Sequence, residues 1–314
     1  MTPVAILDYL LFGGSVSSDL LRYDLGAEAD DIAAAITQLR QAGCEIEPDS
    51  PTSYRLHRTG LGVWADYLAF HQRRTGSPQR IVEVYRSTAS TQDLVKARLP
   101  EPLLVVADHQ SAGRGRLGRP WLAPPRACVL MSFTHVLDAG ASPDRVAFVA
   151  SVAVARAIEK LTGRRQIGIK WPNDLVVDGR KLGGVLVETR LGMAVIGIGI
   201  NVDLRESDIA VMPEALRDKV TSLAMLGCPK DRLAVAGAVI EQVDADLAIG
   251  HIRSMVDEWR CRSVLSARHV RLSHDGHVIE GDVVDLDPLD GLIVRTREGA
   301  MLHLPAASTT VLAW

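Results

Sequence analysis

Residues 167–201 read IGIKWPNDLVVDGRKLGGVLVETRLGMAVIGIGIN. Apolar runs IGIKW and LVV are followed by Asp178-Gly179, a pair suited to a type I′ turn, and then by KLGGVLVET and MAVIGIGIN. The rhythm of strand, turn and strand predicts an antiparallel meander.

Working outward, a helix is expected from about Asp231 towards Gly250, and the last fifty residues are short strands separated by DG and EG turns. These predict a small β-barrel closing the chain. On the N-terminal side lie apolar runs IVEVY (81–85) and LLVVAD (103–108), then a helix with Ser142 as N-cap, Pro143 at N1 and Gly163 as its stop. The first 60 residues hold VAILDYLLF, SSDLLRYDLG and ADDIAAAITQLRQAG as helices, then CEIEPDSPTSYRL as a hairpin turning through Asp49-Ser50-Pro51. Three helices and a wing predict a winged helix-turn-helix. A further helix, about Leu61 to His71, precedes RRTGSPQ (73–79), which has linker or loop composition. The class is α+β, with expected domains at 1–60, 61–262 and 263–314.

With 314 residues, 47% hydrophobic and 23% charged, the chain can bury real cores, which excludes a disordered or fibrous protein. Its net charge of -3 gives no global field for nucleic acid or membrane. Cys44, Cys128, Cys228 and Cys261 form no CxxC pair, so the expectation is a reduced, cytoplasmic protein without a zinc ribbon. The stretch VAFVASVAVA before Arg156 is far shorter than the roughly 20 residues that span a bilayer. No membrane role is expected.

HQSAGRGRLGRPW (109–121) places Gly113, Gly115 and Gly118 in GxGxxG spacing. Pro120, Pro124 and Pro125 deny it the helix that a dinucleotide fingerprint opens, and Arg114, Arg116 and Arg119 make it a loop able to close cations over an anion. A solvated basic loop is the bland alternative. Lys170 and Lys181 are two of only six lysines among 35 basic residues, and flank the Trp171-Pro172-Asn173-Asp174 turn and its hairpin. GIGIN (197–201) permits close approach by a ligand or a neighbour. In STASTQD (87–93) the hydroxyls read first as a helix N-cap.

Taken together and in this order, ASTQD, QSAGRGRLGRPW, KWPNDL with KLGGVLVE, and GIGIN resemble the biotin protein ligases, strongly over residues 80 to 202. The flanking layout is similar to the bifunctional class that is both ligase and biotin operon repressor. The resemblance implies a class II synthetase-like central domain and a C-terminal SH3-like barrel. It implies ATP and biotin as substrates with Mg²⁺, biotinyl-5′-AMP as intermediate, and a lysine of a biotin carboxyl carrier protein as acceptor. By the same resemblance Ser90, Thr91, Gln92 and Gln110 line the biotin site and Arg114, Gly115 and Arg116 form the closing loop. Lys170 and Arg116 are the catalytic cations, with Lys170 also touching biotin. Arg116, Arg119, Trp121, Asn173, Lys181 and Asn201 serve the adenylate. No acidic metal-ligand cluster is legible, so Mg²⁺ is expected to be held mainly by phosphates. A homodimer is common in relatives, yet no self-complementary edge is legible here.

The sequence departs from the bifunctional pattern twice. No aromatic residue lies between Asn201 and Asp231, and only His303 is basic after Arg297, where relatives complete the nucleotide pocket. Residues 1–60 hold four arginines against nine acids, and the presumed recognition helix opens with Glu28, Asp30 and Asp31. Acids repel the phosphates that supply much of DNA affinity. DNA is therefore the disfavoured partner: the hypothesis is weak or lost operator binding, and tight retention of an operator fragment in a gel shift with biotinyl-AMP would contradict it.

Overall fold

A computed structural model describes residues 2–137, 142–164, 166–249, 252–287 and 291–314. The chain opens with α1 (Pro3–Gly13), β1 (Ser15–Ser17), α2 (Ser18–Leu25), α3 (Ala29–Gln41), β2 (Glu45–Ser50) and β3 (Ser53–Arg58). Three helices therefore pack beside a small antiparallel sheet ordered β1-β3-β2, whose first strand the sequence reading lacked. Ile32, Ala35, Ile36 and Leu39 form the buried stripe of α3, as their spacing predicts.

Next come α4 (Trp64–Thr75), β4 (Ile81–Tyr85), α5 (Thr91–Ala97), β5 (Leu103–Ala107), β6 (Cys128–Val136) and α6 (Pro143–Thr162). The Ser142 hydroxyl accepts from the Arg145 amide at 3.1 Å, and Gly163 ends α6 at φ 70°. Of the stretch with linker or loop composition, α4 takes residues up to Thr75 and a loop follows, in which Ser77 and Arg80 are buried.

The meander follows as β7 (Gly168–Lys170), β8 (Asp174–Val177), β9 (Arg180–Arg190) and β10 (Met193–Asn201). Asp178 and Gly179 both take positive φ, 49° and 73°, as a type I′ turn requires. The resulting seven-stranded sheet runs β4-β5-β6-β10-β9-β8-β7, mixed because β4 and β5 are parallel. Strand alternation assigns its faces. Leu104 and Val106 of β5 join the large core with α6 and with a later helix, Arg232–Ile249, whereas Leu103 and Val105 pack with Val95 of α5. One face thus carries the long helices and the other carries α5.

Then come α7 (Glu206–Ala210), α8 (Glu214–Arg217), α9 (Arg232–Ile249) and α10 (Ile252–Arg262), of which only α9 was anticipated. The chain finishes with β11 (His269–His274), β12 (His277–Asp287), β13 (Gly291–Thr296), β14 (Met301–Leu304) and β15 (Thr309–Ala313). The expected barrel is corrected here: these strands form an open sheet, β14-β13-β12-β11-β15, with no pairing between β14 and β15 among the described residues. Turn signals predict hairpins, but barrel closure depends on shear and tilt that they do not encode. The anticipated Asp290-Gly291 turn lies partly outside the described residues. Among the described residues, no helix is long and apolar enough to cross a membrane.

Candidate active site

On the face of the sheet that carries α5, a cavity gathers residues from all four motifs. The alternation of β10 explains why it lies there. Ile196, Ile198 and Ile200 belong to the core under the long helices, so Gly197 and Gly199 face the other way. A Cβ on Gly197 would stand 2.5 Å from the Gln92 Oε1, and one on Gly199 would stand 2.6 Å from the Trp121 ring. The two glycines are therefore the floor on which Gln92 and Trp121 lie.

At the α5 end Thr91, Gln92, Gln110 and Ser132 are neutral and hydrogen-bonded, beside an Arg114 already paired with Asp93. Gln110 Oε1 accepts from the Thr91 amide at 2.7 Å and from its hydroxyl at 3.0 Å, and the Thr91 and Ser132 hydroxyls are 2.8 Å apart. Gln92 Nε2 donates to the Val195 carbonyl at 3.0 Å, which leaves its buried Oε1 without a partner. The Ser90 hydroxyl caps α5 by accepting from the Asp93 amide, so the bland and functional readings of this serine hold together.

The other end is cationic. Lys170 sits at the close of β7 with no ion pair or side-chain hydrogen bond among the described residues. Burial pushes its ammonium below the usual lysine range; Asp174 opposes this, while Lys181, Arg119 and Lys219 add to it. Lys181 pairs with Asp174 at 2.6 Å and lies 5.1 Å from the Trp121 ring centre. The Trp121 indole N–H is buried without a partner. Arg116 donates to the Ala306 carbonyl, and burial lowers its pKa against the opposing pull of Asp144 and Asp174.

Of the residues singled out from the sequence, Ser90, Thr91, Gln92, Gln110, Arg114, Gly115, Arg116, Arg119, Trp121, Lys170, Asn173 and Lys181 all line this cavity. Asn201 does not. Its Nδ2 donates to the Lys181 and Thr221 carbonyls at 3.3 and 3.0 Å, clipping neighbouring segments together. Asn173 is buried and its Nδ2 donates to the Val185 carbonyl, so it too holds backbone. Missed by sequence reasoning are Ser132 from β6 and Thr309, Thr310 and Val311 from β15. Nothing local in TTV marks it as a wall of a site more than a hundred residues upstream. Among the described residues no group of three or more His, Cys, Asp or Glu could hold a metal ion.

An amide-and-hydroxyl pocket thus lies beside a cluster of cations, and the class to which the chain belongs is a ligase class: residues 81–204 match the family model described as "Biotin/lipoate A/B protein ligase family". Across 297 residues, 90% of each chain, the protein is 33% identical to the "Bifunctional ligase/repressor BirA" of Bacillus subtilis. It is 29% identical over 249 residues to the "Biotin--[acetyl-CoA-carboxylase] ligase" of Mycobacterium tuberculosis, covering 73% of this chain and 91% of that one. The structure of "Biotin protein ligase from Aquifex aeolicus in complex with biotin and ATP" superposes with a TM-score of 0.65 at 26% identity, covering 73% of this chain and 97% of that one. The chain belongs to the biotin protein ligase family.

Proposed function

We propose that this chain joins biotin to ATP as biotinyl-5′-AMP and transfers the biotinyl group to a lysine of a biotin carboxyl carrier domain. The observation that carries this reading is the division of one cavity into a neutral hydrogen-bonding end and a cationic end. A buried ureido ring needs matched donors and acceptors, which Thr91, Gln92, Gln110 and Ser132 can offer. The unpaired Gln92 Oε1 is an acceptor whose burial favours a ligand N–H.

In the first half-reaction a biotin carboxylate oxygen forms a bond to the α-phosphorus, the bond to the bridging oxygen breaks, and pyrophosphate leaves with the electron pair. Two anions must meet, and the Lys170 ammonium between them reduces their repulsion and stabilises the charge on the phosphoryl oxygens. Arg116 and Arg119 add positive charge and, with Arg114 and Gly115, form the loop that keeps the mixed anhydride from water. Trp121, Lys181 and Asn173 flank the nucleotide end, with Asn201 supporting them through backbone contacts. In the second half-reaction the carrier lysine's neutral amine attacks the acyl carbon, AMP leaves with the electron pair, and the amine loses a proton.

A resident metal does not fit these residues. Among the described residues Asp174 is the one carboxylate lining the cavity, and it is already paired with Lys181. Magnesium enters as part of the ATP complex, held by phosphates, and no step here is assigned to it.

Residues 1–60 read as a winged helix, 61–262 as the ligase unit, and 263–314 as an SH3-like module that is open rather than closed. Glu28, Asp30 and Asp31 are all exposed at the start of α3, which supports weak or absent DNA binding rather than a repressor role. Biotin-dependent ATP–pyrophosphate exchange by the full chain tests the substrate: exchange is expected with biotin and not with lipoate, and the reverse would overturn the assignment.

A further inference from the structure

We infer that Glu188 and Asp93 are positioning residues, which hold the arginine loop over the cavity by gripping Arg114. The inference rests on the ligase reading above and gives a task to the last residue of KLGGVLVE, which that reading leaves idle. Residues Gly113 to Trp121 fold on themselves: Gly115 N–H donates to Arg119 at 2.7 Å and Trp121 N–H donates to Gly113 at 2.8 Å. This hairpin rests on the Ala306 carbonyl through Arg116 and on Gly199 through Trp121, and Gly113 and Gly115 flank the arginine that ties it to α5.

Arg114 supplies the tie to α5 and β9. Its Nη1 lies 2.6 Å from Asp93 Oδ2, its Nη2 lies 2.6 Å from Asp93 Oδ1, and Nη2 is 3.3 Å from Glu188 Oε2. A planar guanidinium held by two carboxylates on separate elements is fixed in direction as well as place. Asp93 stands in the first turn of α5, directly after Ser90, Thr91 and Gln92. Glu188 lies on β9, two and four residues beyond the cavity-lining Leu186 and Gly184, so its side chain shares their face. Its other oxygen accepts from Lys96 at 2.7 Å. The clamp therefore ties the loop to the element that presents Thr91 and Gln92. Arg114 acts through these carboxylates as a strut, while Arg116, which donates to the Ala306 carbonyl, and Arg119 pair with no carboxylate among the described residues and are the loop cations assigned to substrate.

The test uses the full chain with Glu188→Gln, Asp93→Asn, Lys96→Gln, Arg114→Gln and the combinations of the first two with Arg114→Gln. Pyrophosphate exchange measures adenylate formation, and capture by added hydroxylamine measures adenylate that escapes before reaching the carrier lysine. Glu188→Gln and Asp93→Asn are expected to raise escape by about two- to fivefold and to raise KM for biotin, with kcat for exchange changed less. Lys96→Gln, which leaves both contacts to Arg114 in place, is expected to change escape less. Added to Arg114→Gln, neither carboxylate substitution is expected to raise escape further. Unchanged escape, or full additivity with Arg114→Gln, would overturn the clamp, since a merely structural role lowers thermal stability without that dependence. Absence of exchange in the wild-type chain would instead overturn the ligase reading itself.

Discussion

Lys170→Ala is expected to lower kcat for biotin-dependent pyrophosphate exchange by about 10²–10³-fold, the cost typical of removing one preorganised stabilising group. The lysine stands in the cavity without a partner, so its loss breaks no ion pair among the described residues and leaves the fold in place. The pH dependence follows from the same burial. Desolvation lowers the ammonium pKa, so the charged form present below that pKa is lost on the alkaline side earlier than for an ordinary lysine. The alkaline limb of kcat should therefore fall below the usual lysine range. For folding the sign is opposite: between the lowered and the ordinary pKa the unfolded chain binds more protons, so this group's penalty eases as pH rises. Activity of Lys170→Ala within about fivefold of wild type would remove the lysine from the chemistry.

Asp244→Ala is expected to cost about 3–5 kcal/mol of unfolding free energy, because it strands a buried guanidinium. The Arg80 and Asp244 side chains are 2% and 3% exposed and meet through two hydrogen bonds of 2.9 and 2.6 Å. Arg80 Nε also donates to the Thr134 carbonyl at 2.8 Å, and the guanidinium lies 4.7 Å from the Phe133 ring centre. Its backbone is held too, with Arg80 N–H donating to Gln72 Oε1 at 3.2 Å. One residue thus fastens α4, the strand β6 and α9 at the corner where the chain enters the large sheet. Denaturant unfolding checks the prediction, and replacing both partners by Arg80→Met and Asp244→Leu should recover much of the loss. A cost below about 1 kcal/mol for Asp244→Ala would mean that water reaches the site and the pair is not a buried one.

Much of the ligase sheet was legible because its signals are local. Alternation and a positive-φ Asp178-Gly179 turn define β7 to β10, and Ser142, Pro143 and Gly163 mark α6. What failed to show was tertiary. The open reading of GIGIN, a ligand or a neighbour close to the backbone, keeps both branches: Gln92 and Trp121 lie on its glycines, and the same glycines line the cavity. Asn201 shares that motif, yet backbone carbonyls consume its amide, a fate spacing does not reveal. Thr309 to Val311 reach the cavity because the C-terminal sheet folds back on the arginine loop, where Arg116 meets the Ala306 carbonyl. The polar 73–79 stretch has linker or loop composition, and composition does not reveal that the loop is fastened at its end by Arg80 and Asp244. The grip of Asp93 and Glu188 on Arg114 joins three separate motifs, and only the fold puts them within reach of one another.

The most direct test is transfer of biotin by the purified full chain to a biotin carboxyl carrier domain with ATP and magnesium, read as the mass gain on the carrier. One biotinyl group on one lysine, formed with biotin and not with lipoate and abolished by Lys170→Ala, is the predicted result. An unmodified carrier with the wild-type chain, or modification that ignores Lys170, would contradict the assignment of this cavity to biotin activation.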